Sequence, residues 1–327
     1  MNTRKTTEDQ PVVIGLGEAL WDLLPAGPQL GGAPANFAYH AHALGARAQV
    51  ITRVGQDDYG REIIRRFVAM GLDGGAVQLD EAAPTGTVTV ALSGNGIPEY
   101  TIHENVAWDR IAATPEALAA VSVADAICFG SLAQRSEASR TAIQQLVAAT
   151  SADALRVFDI NLRQHFYSRE IIEHSLLLAN VLKLNDTELP VLARMLGMEG
   201  SPRQQIEGLA RNFSLRVVAL TRGAEGSLLF QGDRWSELPT SQVEVRDTVG
   251  AGDAFTAALC LGLLCGMDLD TIHEQASRVA AYVCGCIGAT PSLPAPLRQQ
   301  FVNLRIVRQT SAGRSAAAVG ECTDQKE

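Results

Sequence analysis

Residues 247–255 read Asp-Thr-Val-Gly-Ala-Gly-Asp-Ala-Phe, two glycines and an acid just ahead of an apolar run that continues to about Met267. A helix start leaves backbone N–H groups without intrahelical partners, and the aligned peptide dipoles add positive potential there. Glycine lets a ligand come close to those amides. Gly250, Ala251 and Gly252 therefore read as an anion hole for a phosphoryl group or a developing oxyanion. A carboxylate at Asp253 would repel such an anion unless it has work of its own. That work is to take the proton from a substrate hydroxyl while the amides hold the phosphoryl group that the hydroxyl attacks. The plain alternative is a helix cap at Asp253 and a tight turn at the glycines.

Other chemistries drop out on pattern. No Gly-x-x-x-x-Gly-Lys-Ser/Thr run is present, which excludes a P-loop enzyme. The stretch "GLGEAL" (15–20) has leucine where a dinucleotide fingerprint needs its third glycine, which argues against a nicotinamide enzyme. His40 and His42, and likewise Cys284 and Cys286, are two apart on expected helices and so face different ways, a poor geometry for a shared metal. The six cysteines fit neither a zinc pair nor a disulfide framework and read as reduced core residues.

The elements that must position this turn are legible as an alternation. Apolar runs at 12–17, 49–55, 125–130, 156–161, 181–185 and 216–221 read as buried strands. Helical patterns follow at 33–46, 58–70 and about 136–149, and after the strands at 156–161 and 181–185. From Thr248 to Ile287 the chain reads as helical, broken at Gly266–Asp268. Such β–α alternation predicts an α/β fold, a mostly parallel sheet with helices on both faces. One region departs: 85–104 reads as two alternating strands around Gly-Asn-Gly, a hairpin that predicts a small β lid or an edge extension of the main sheet.

Composition narrows the class further. The chain has 327 residues, 46% of them hydrophobic, enough for one large domain with a substantial core. Its net charge is −9 with no basic tract, which argues against a nucleic-acid partner. Residues 1–10 are polar and carry no signal-like apolar stretch, and the longest apolar run is too short to span a bilayer. The expectation is a cytoplasmic protein with no membrane partner, its body at 11–308 and loose segments at 1–10 and 309–327.

The run "DTVGAGDAF" closely resembles the C-terminal signature of the ribokinase-type (PfkB) carbohydrate kinases. "LGGAPANFAYHAHALGA" (30–46), "DINLR" (159–163), "KLNDTEL" (183–189), "TRGAEGSLLF" (221–230) and "GATPSLP" (288–294) follow in that family's order, over about residues 12–305. The resemblance implies a ribokinase-like α/β fold with a β lid and ATP-dependent phosphorylation of a sugar hydroxyl. It implies Asp253 as general base, the 250–252 amides as anion hole, and Asp22, Gly31, Gly32 and Asn36 as sugar contacts. Asn185 and Glu188 match an Asn-x-x-Glu motif, and their spacing predicts a shared helix face from which the pair would reach triphosphate oxygens and Glu188 would hold Mg²⁺ through water. Arg163 would grip the transferring phosphate or the acceptor. Thr221, Arg222, Gly223 and Gly226 would line the nucleotide. A K⁺ site would draw on Asp247, Val249, Gly288 and Ser292, where many relatives carry threonine instead of Val249.

For the acceptor, "ICFGSLAQRS" (127–136) and "GEALWDLLP" (17–25) resemble fructokinases. "YTIHENVAWD" (100–109) departs from their arginine-bearing lid segment and sets His103, Glu104 and Asn105 where sugar contacts are expected. Ribokinase and 2-keto-3-deoxygluconate kinase are the alternatives, and a non-catalytic sugar- or nucleotide-binding regulator is the third. A lid with an open edge also suggests a homodimer.

Overall fold

Successive side chains of the strands enter two separate cores, because a strand points alternate residues to opposite faces. Val13, Val50, Val157, Val181 and Val217 enter one core. Ile14, Ile51, Phe158, Leu182 and Val218, each one residue further on, enter the other. This is the pattern of a sheet buried on both sides, observed in a computed structural model that describes residues 10–92 and 98–302.

The strands are β1 (Val12–Leu16), β2 (Leu20–Leu24), β3 (Gly27–Gly31), β4 (Arg47–Gly55), β5 (Val77–Asp80), β6 (Gly86–Leu92), β7 (Pro98–Ile102), β8 (Ala126–Phe129), β9 (Leu155–Asp159), β10 (Val181–Asn185), β11 (Val217–Thr221), β12 (Ser227–Gln231) and β13 (Arg234–Leu238). The helices are α1 (Ala33–Ala43), α2 (Asp58–Ala69), α3 (Pro115–Ser122), α4 (Glu137–Ala148), α5 (Arg169–Leu178), α6 (Glu188–Leu196), α7 (Pro202–Asn212), α8 (Ala251–Leu264), α9 (Leu269–Cys284) and α10 (Ala295–Val302).

The main sheet has nine strands in the order β13-β12-β11-β10-β9-β8-β1-β4-β5. From β5 to β11 every neighbouring pair is parallel, and β12 and β13 add an antiparallel edge. Phe37 of α1, Phe67 of α2, Phe255 of α8 and Ile272 of α9 pack in one core. Val121 of α3, Ile143 of α4, Ile172 of α5, Leu192 of α6 and Leu209 of α7 pack in the other. The expected α/β architecture is therefore the observed one. Among the described residues no helix is long and apolar enough to cross a membrane.

The lid is larger than the hairpin read from sequence. It is a four-stranded sheet in the order β3-β2-β6-β7. β6 and β7 are the two expected hairpin strands, paired antiparallel. The Gly-Asn-Gly turn between them lies outside the described residues, as do residues 1–9 of the expected N-terminal segment and all of 309–327. The other half of the lid comes from residues 20–31, where β2 turns back on β3 and pairs in parallel with β6. Trp21 ties this half to the body, being 1% exposed and donating its indole N–H to the Tyr59 carbonyl at 3.1 Å. Local sequence hid these strands because their partners are distant: β2 meets β6 some sixty residues later, and that pairing supplies what a hairpin signal cannot.

Candidate active site

The strand ends at β1, β9, β10 and β11 open onto one cavity of about 1330 Å³, roofed by the lid and floored by the start of α8. The start of α8 is shaped by close approaches. Gly250 caps the helix in a left-handed conformation (φ 80°), and a Cβ there would stand 2.4 Å from the Ala289 carbonyl oxygen. A Cβ on Gly252 would stand 2.9 Å from Lys183 Nζ. Both positions thus need glycine for space, and Gly250 also for its dihedral angle. Residues Thr248 to Gly252, which open α8, line the cavity, and no side chain caps this terminus.

Asp253 sits in the first turn of α8 and is 9% exposed. Its Oδ2 accepts a hydrogen bond from Asn36 Nδ2 at 2.9 Å, across 217 residues of sequence. It does not act as a helix cap, since no side-chain cap bond is present at this terminus. Burial pushes its carboxyl up to about 6, and the Asp159 charge adds to that, while Asn36, Lys183 and Arg163 partly oppose it.

Behind Asp253 lies a buried ion pair. Asp159 at the end of β9 and Lys183 on β10 are register partners of a parallel ladder, and Lys183 Nζ lies 3.1 Å from Asp159 Oδ1. Thr256 Oγ1 lies 2.9 Å from both Asp159 Oδ2 and the Gly252 carbonyl, joining the pair to the floor of α8. Burial alone would discharge Lys183, but the Asp159, Glu188 and Asp253 carboxylates outweigh it and hold its ammonium pKa above the ordinary range. A cation therefore stands under the glycine turn and lines the cavity.

The lid end of the cavity is walled by Asp22, Gly31, Gly32 and Asn36, all expected to line the site, and by Leu20, Val88, Tyr100 and Ile102 of the lid. A Cβ on Gly31 would lie 2.5 Å from Asp22 Oδ2, so the di-glycine turn leaves room for that carboxylate. Burial raises the Asp22 pKa, and Arg163 opposes the rise. Arg163 lines the same end, exposed on the loop after β9. On that loop Gln164 donates to the Tyr100 carbonyl of β7 at 2.6 Å, a latch between body and lid. His103 pairs instead with Thr89 at 2.8 Å, and neither it nor Glu104 nor Asn105 lines the cavity.

The nucleotide-like end is built from small residues and backbone. Thr221, Gly223 and Gly226 line it as expected, together with residues 239–243 and with Ser277, Ala280, Ala281 and Cys284 of α9. Arg222 is not on the wall; it ion-pairs with Glu237 at 3.0 Å. Asn185 lines the cavity, but its side chain also caps α6 by accepting from the Thr187 and Glu188 amides at 3.0 and 2.9 Å. Asn185 and Glu188 do not share a helix face, because one ends β10 and the other begins α6. Glu188 is 4% exposed, and its two oxygens accept from the amides of Leu162 and Asn185 at 3.0 and 2.8 Å. Burial raises its pKa, and Lys183 opposes that.

The remaining expected group draws together at one edge. Asp247 accepts from the amide of Val249 at 3.0 Å and from that of Gly288 at 3.0 Å, which brings two distant loops into contact. Side chains grip the facing backbone: His40 meets the Ala289 carbonyl at 2.9 Å and Tyr282 donates to the Ser292 carbonyl at 3.1 Å. Asp247 and Val249 line the cavity, whereas Gly288 and the exposed Ser292 do not. Sequence reasoning missed Lys183, Glu18, Tyr100, Gln164 and the 239–243 wall. Lys183 alone carried a signal, as one of three lysines in the chain and the only one inside a strand pattern.

A mostly parallel sheet, a β lid and a buried acid at a glycine-opened helix define a phosphotransferase of small alcohols, and comparison with known proteins agrees. The description "pfkB family carbohydrate kinase" matches residues 28–296, and the chain belongs to that family. It is a carbohydrate kinase. It is 31% identical to a fructokinase of Klebsiella pneumoniae over 84% of this chain and 92% of that one. It is 30% identical to fructokinase-1 of Zea mays over 86% and 94% of the two chains. Its fold matches a sugar kinase of Pyrococcus horikoshii solved in complex with ATP, with a TM-score of 0.75, 29% identity, and coverage of 86% of this chain and 95% of that one.

Proposed function

We propose that this protein is an ATP-dependent fructokinase and that Asp253 is its general base. The observation that carries the reading is the placement of a buried carboxylate, held by Asn36 and raised to about 6, in the first turn of a glycine-capped helix whose start lines the cavity. Fructose is supported by the fructokinase relatives of Klebsiella pneumoniae and Zea mays.

The acceptor sugar lies between the lid and α1, its hydroxyls met by Asp22 and Asn36 and its ring by Ile102 and Val88. Asp253 takes the proton of the acceptor hydroxyl as that oxygen bonds to the γ-phosphorus. The bond from γ-phosphorus to the β,γ-bridging oxygen breaks, and ADP carries away the electron pair. The amides of Gly250, Ala251 and Gly252 hold the transferring oxygens, and Arg163 adds positive charge from the lid side. The nucleotide runs past Asn185 and Thr221 over Gly223 and Gly226.

When bound, Mg²⁺ supplies charge neutralisation to the phosphates. The residues present fit it only indirectly, because both Glu188 oxygens already accept backbone amides and Glu188 does not line the cavity, so that it would hold the ion only through intervening water. The Asp247, Val249, Gly288 and Ser292 group offers oxygen donors alone, which suits K⁺ as a structural ion beside the glycine turn. A homodimer through the lid is supported by its two outer strands, β3 and β7, each paired on one side only.

Ribose is the second reading, because the 100–109 segment lacks the arginine of the fructokinase lid segment. The acidic acceptor 2-keto-3-deoxygluconate is disfavoured by the Asp22 and Asp253 carboxyls. A panel of sugars with ATP, scored by kcat/KM through ADP release, decides among them. Fructose should rank first. A higher value for ribose or a sugar acid would reassign the acceptor, and no turnover of any sugar would make the protein a binder.

A further inference from the structure

Glu18 takes no part in the chemistry above. It lies between β1 and β2, is 4% exposed and lines the cavity. Its backbone is pinned by the di-glycine turn: Gly32 has φ 114°, and a Cβ there would stand 2.4 Å from the Glu18 carbonyl oxygen. Its carboxyl faces the amides of Glu18 itself and of Ala33, with Arg163 and Asp253 as charged neighbours. The Ala33 amide opens α1, whose cap residue Gly32 has no side chain to offer.

The backbone amides of Glu18 and Ala33 account for one carboxyl oxygen. The other, Oε2, is buried and has no hydrogen-bond partner. Folded proteins seldom leave such an oxygen unpaired, because its desolvation is not compensated. The missing partner has a natural source, since the carboxyl stands at the wall of the acceptor end, beside Asp253 and across from Arg163. Its burial pushes it up to about 7 in the free protein, with Arg163 opposing and Asp253 adding to the rise. A sugar hydroxyl can serve either protonation state, because it both donates and accepts.

We propose that the free oxygen of Glu18 contacts a second hydroxyl of the acceptor, distinct from the one that is phosphorylated. Glu18 is thereby a specificity residue that selects neutral polyols. Glu18, Asp22 and Asp253 then form a cup of three carboxyls against one guanidinium, Arg163. Dry carboxyls welcome hydroxyls and repel the carboxylate of a sugar acid or the phosphate of a sugar phosphate. The proposal rests on the kinase reading above.

The test compares wild-type protein with Glu18→Ala and Glu18→Gln on the preferred sugar, its monodeoxy series, and ATP. Glu18→Ala should raise the acceptor KM by about tenfold or more, as expected for a lost hydrogen bond to a buried carboxyl, with kcat and the ATP KM nearly unchanged. One deoxy sugar should show no further loss in Glu18→Ala, because it already lacks the contacted hydroxyl. Glu18→Gln, which keeps an acceptor for the Ala33 amide and a polar group toward the sugar, should recover part of the affinity. An unchanged acceptor KM would overturn the proposal. So would a loss shared equally by ATP, by every deoxy sugar and by thermal stability, which would mark Glu18 as a helix cap only. If wild-type protein turns over no sugar, the kinase reading has failed. Calorimetric titration of the same sugars into wild-type and Glu18→Ala proteins then still decides Glu18, and equal heats in both would refute it.

Discussion

The two ends of the cavity solve opposite problems with opposite materials. The lid end, where the acceptor is proposed to bind, is made of carboxyl and amide side chains, Glu18, Asp22, Asn36 and Asp253, most of them buried. The other end is made of glycines, backbone and the small residues Ser277, Ala280 and Ala281 of α9. A polyol presents hydroxyls that need directed side-chain acceptors in a dry place. A phosphate chain presents oxygens that need many N–H donors and no side chain in the way. The boundary between the ends is Asp253 itself, in the first turn of α8 and hydrogen-bonded to Asn36 of α1.

Five changes would break or sharpen that contrast. Asp253→Asn should lower kcat by about 10²–10⁴-fold, the usual worth of a general base, while sugar and ATP still bind by titration. Turnover near the wild-type level would remove Asp253 from the chemistry. Lys183→Met should cost about 3–5 kcal/mol of stability, since it leaves Asp159 charged, buried and unpaired, and chemical denaturation measures it. Lys183→Met with Asp159→Asn should recover part of that loss; no recovery would mean the ion pair is not the cause.

Gly250→Ala acts on the phosphate side alone. Its left-handed backbone adds roughly 1–2 kcal/mol of strain, and its methyl meets the Ala289 carbonyl. The ATP KM should rise about tenfold while acceptor binding holds, a split that steady-state kinetics resolves. The pH profile of kcat/KM should show an acid limb near 6, falling roughly tenfold for each pH unit below it, because Asp253 must be ionised to accept a proton. The same shift has the reverse sign for stability. Between the ordinary carboxylate range and about 6 the folded protein keeps a proton that the unfolded chain has lost, so Asp253 weakens the fold as pH rises through that window. Asp253→Asn should remove the share of that change carried by Asp253 and leave the share carried by Glu18, Asp22 and Glu188, whose carboxyls burial also raises. The smallest effect is expected for Gln164→Ala, which removes the latch to Tyr100 and should raise the acceptor KM by roughly 2–10-fold.

Legibility followed the range of the contacts involved. The parallel sheet was readable because each of its buried strands is a short apolar run with a helix after it, and because Gly250 and Gly252 announce a turn on their own. The lid was half readable. β6 and β7 form a local hairpin, whereas β2 and β3 depend on pairing with β6 and on Trp21 packing against α2. In the site, Asn185 and Glu188 were found as a motif, but their arrangement was not. One caps α6 and the other is pinned by two amides, and only the junction of β10 with α6 explains that.

The amino-acid order by itself determined the class: which runs are strands, which glycines open a helix, and which acid stands beside them. These are properties of neighbours in the chain, set by dihedral freedom, periodicity and the unpaired amides of a helix start. The tertiary structure alone decided the environment of that acid. Asn36 reaches Asp253 across the molecule, and the register of β9 with β10 sets Lys183 beside Asp159 beneath it. Burial then lifts the carboxyl toward the pH at which a base can work, and desolvation is a property of the packed interior that no stretch of sequence carries.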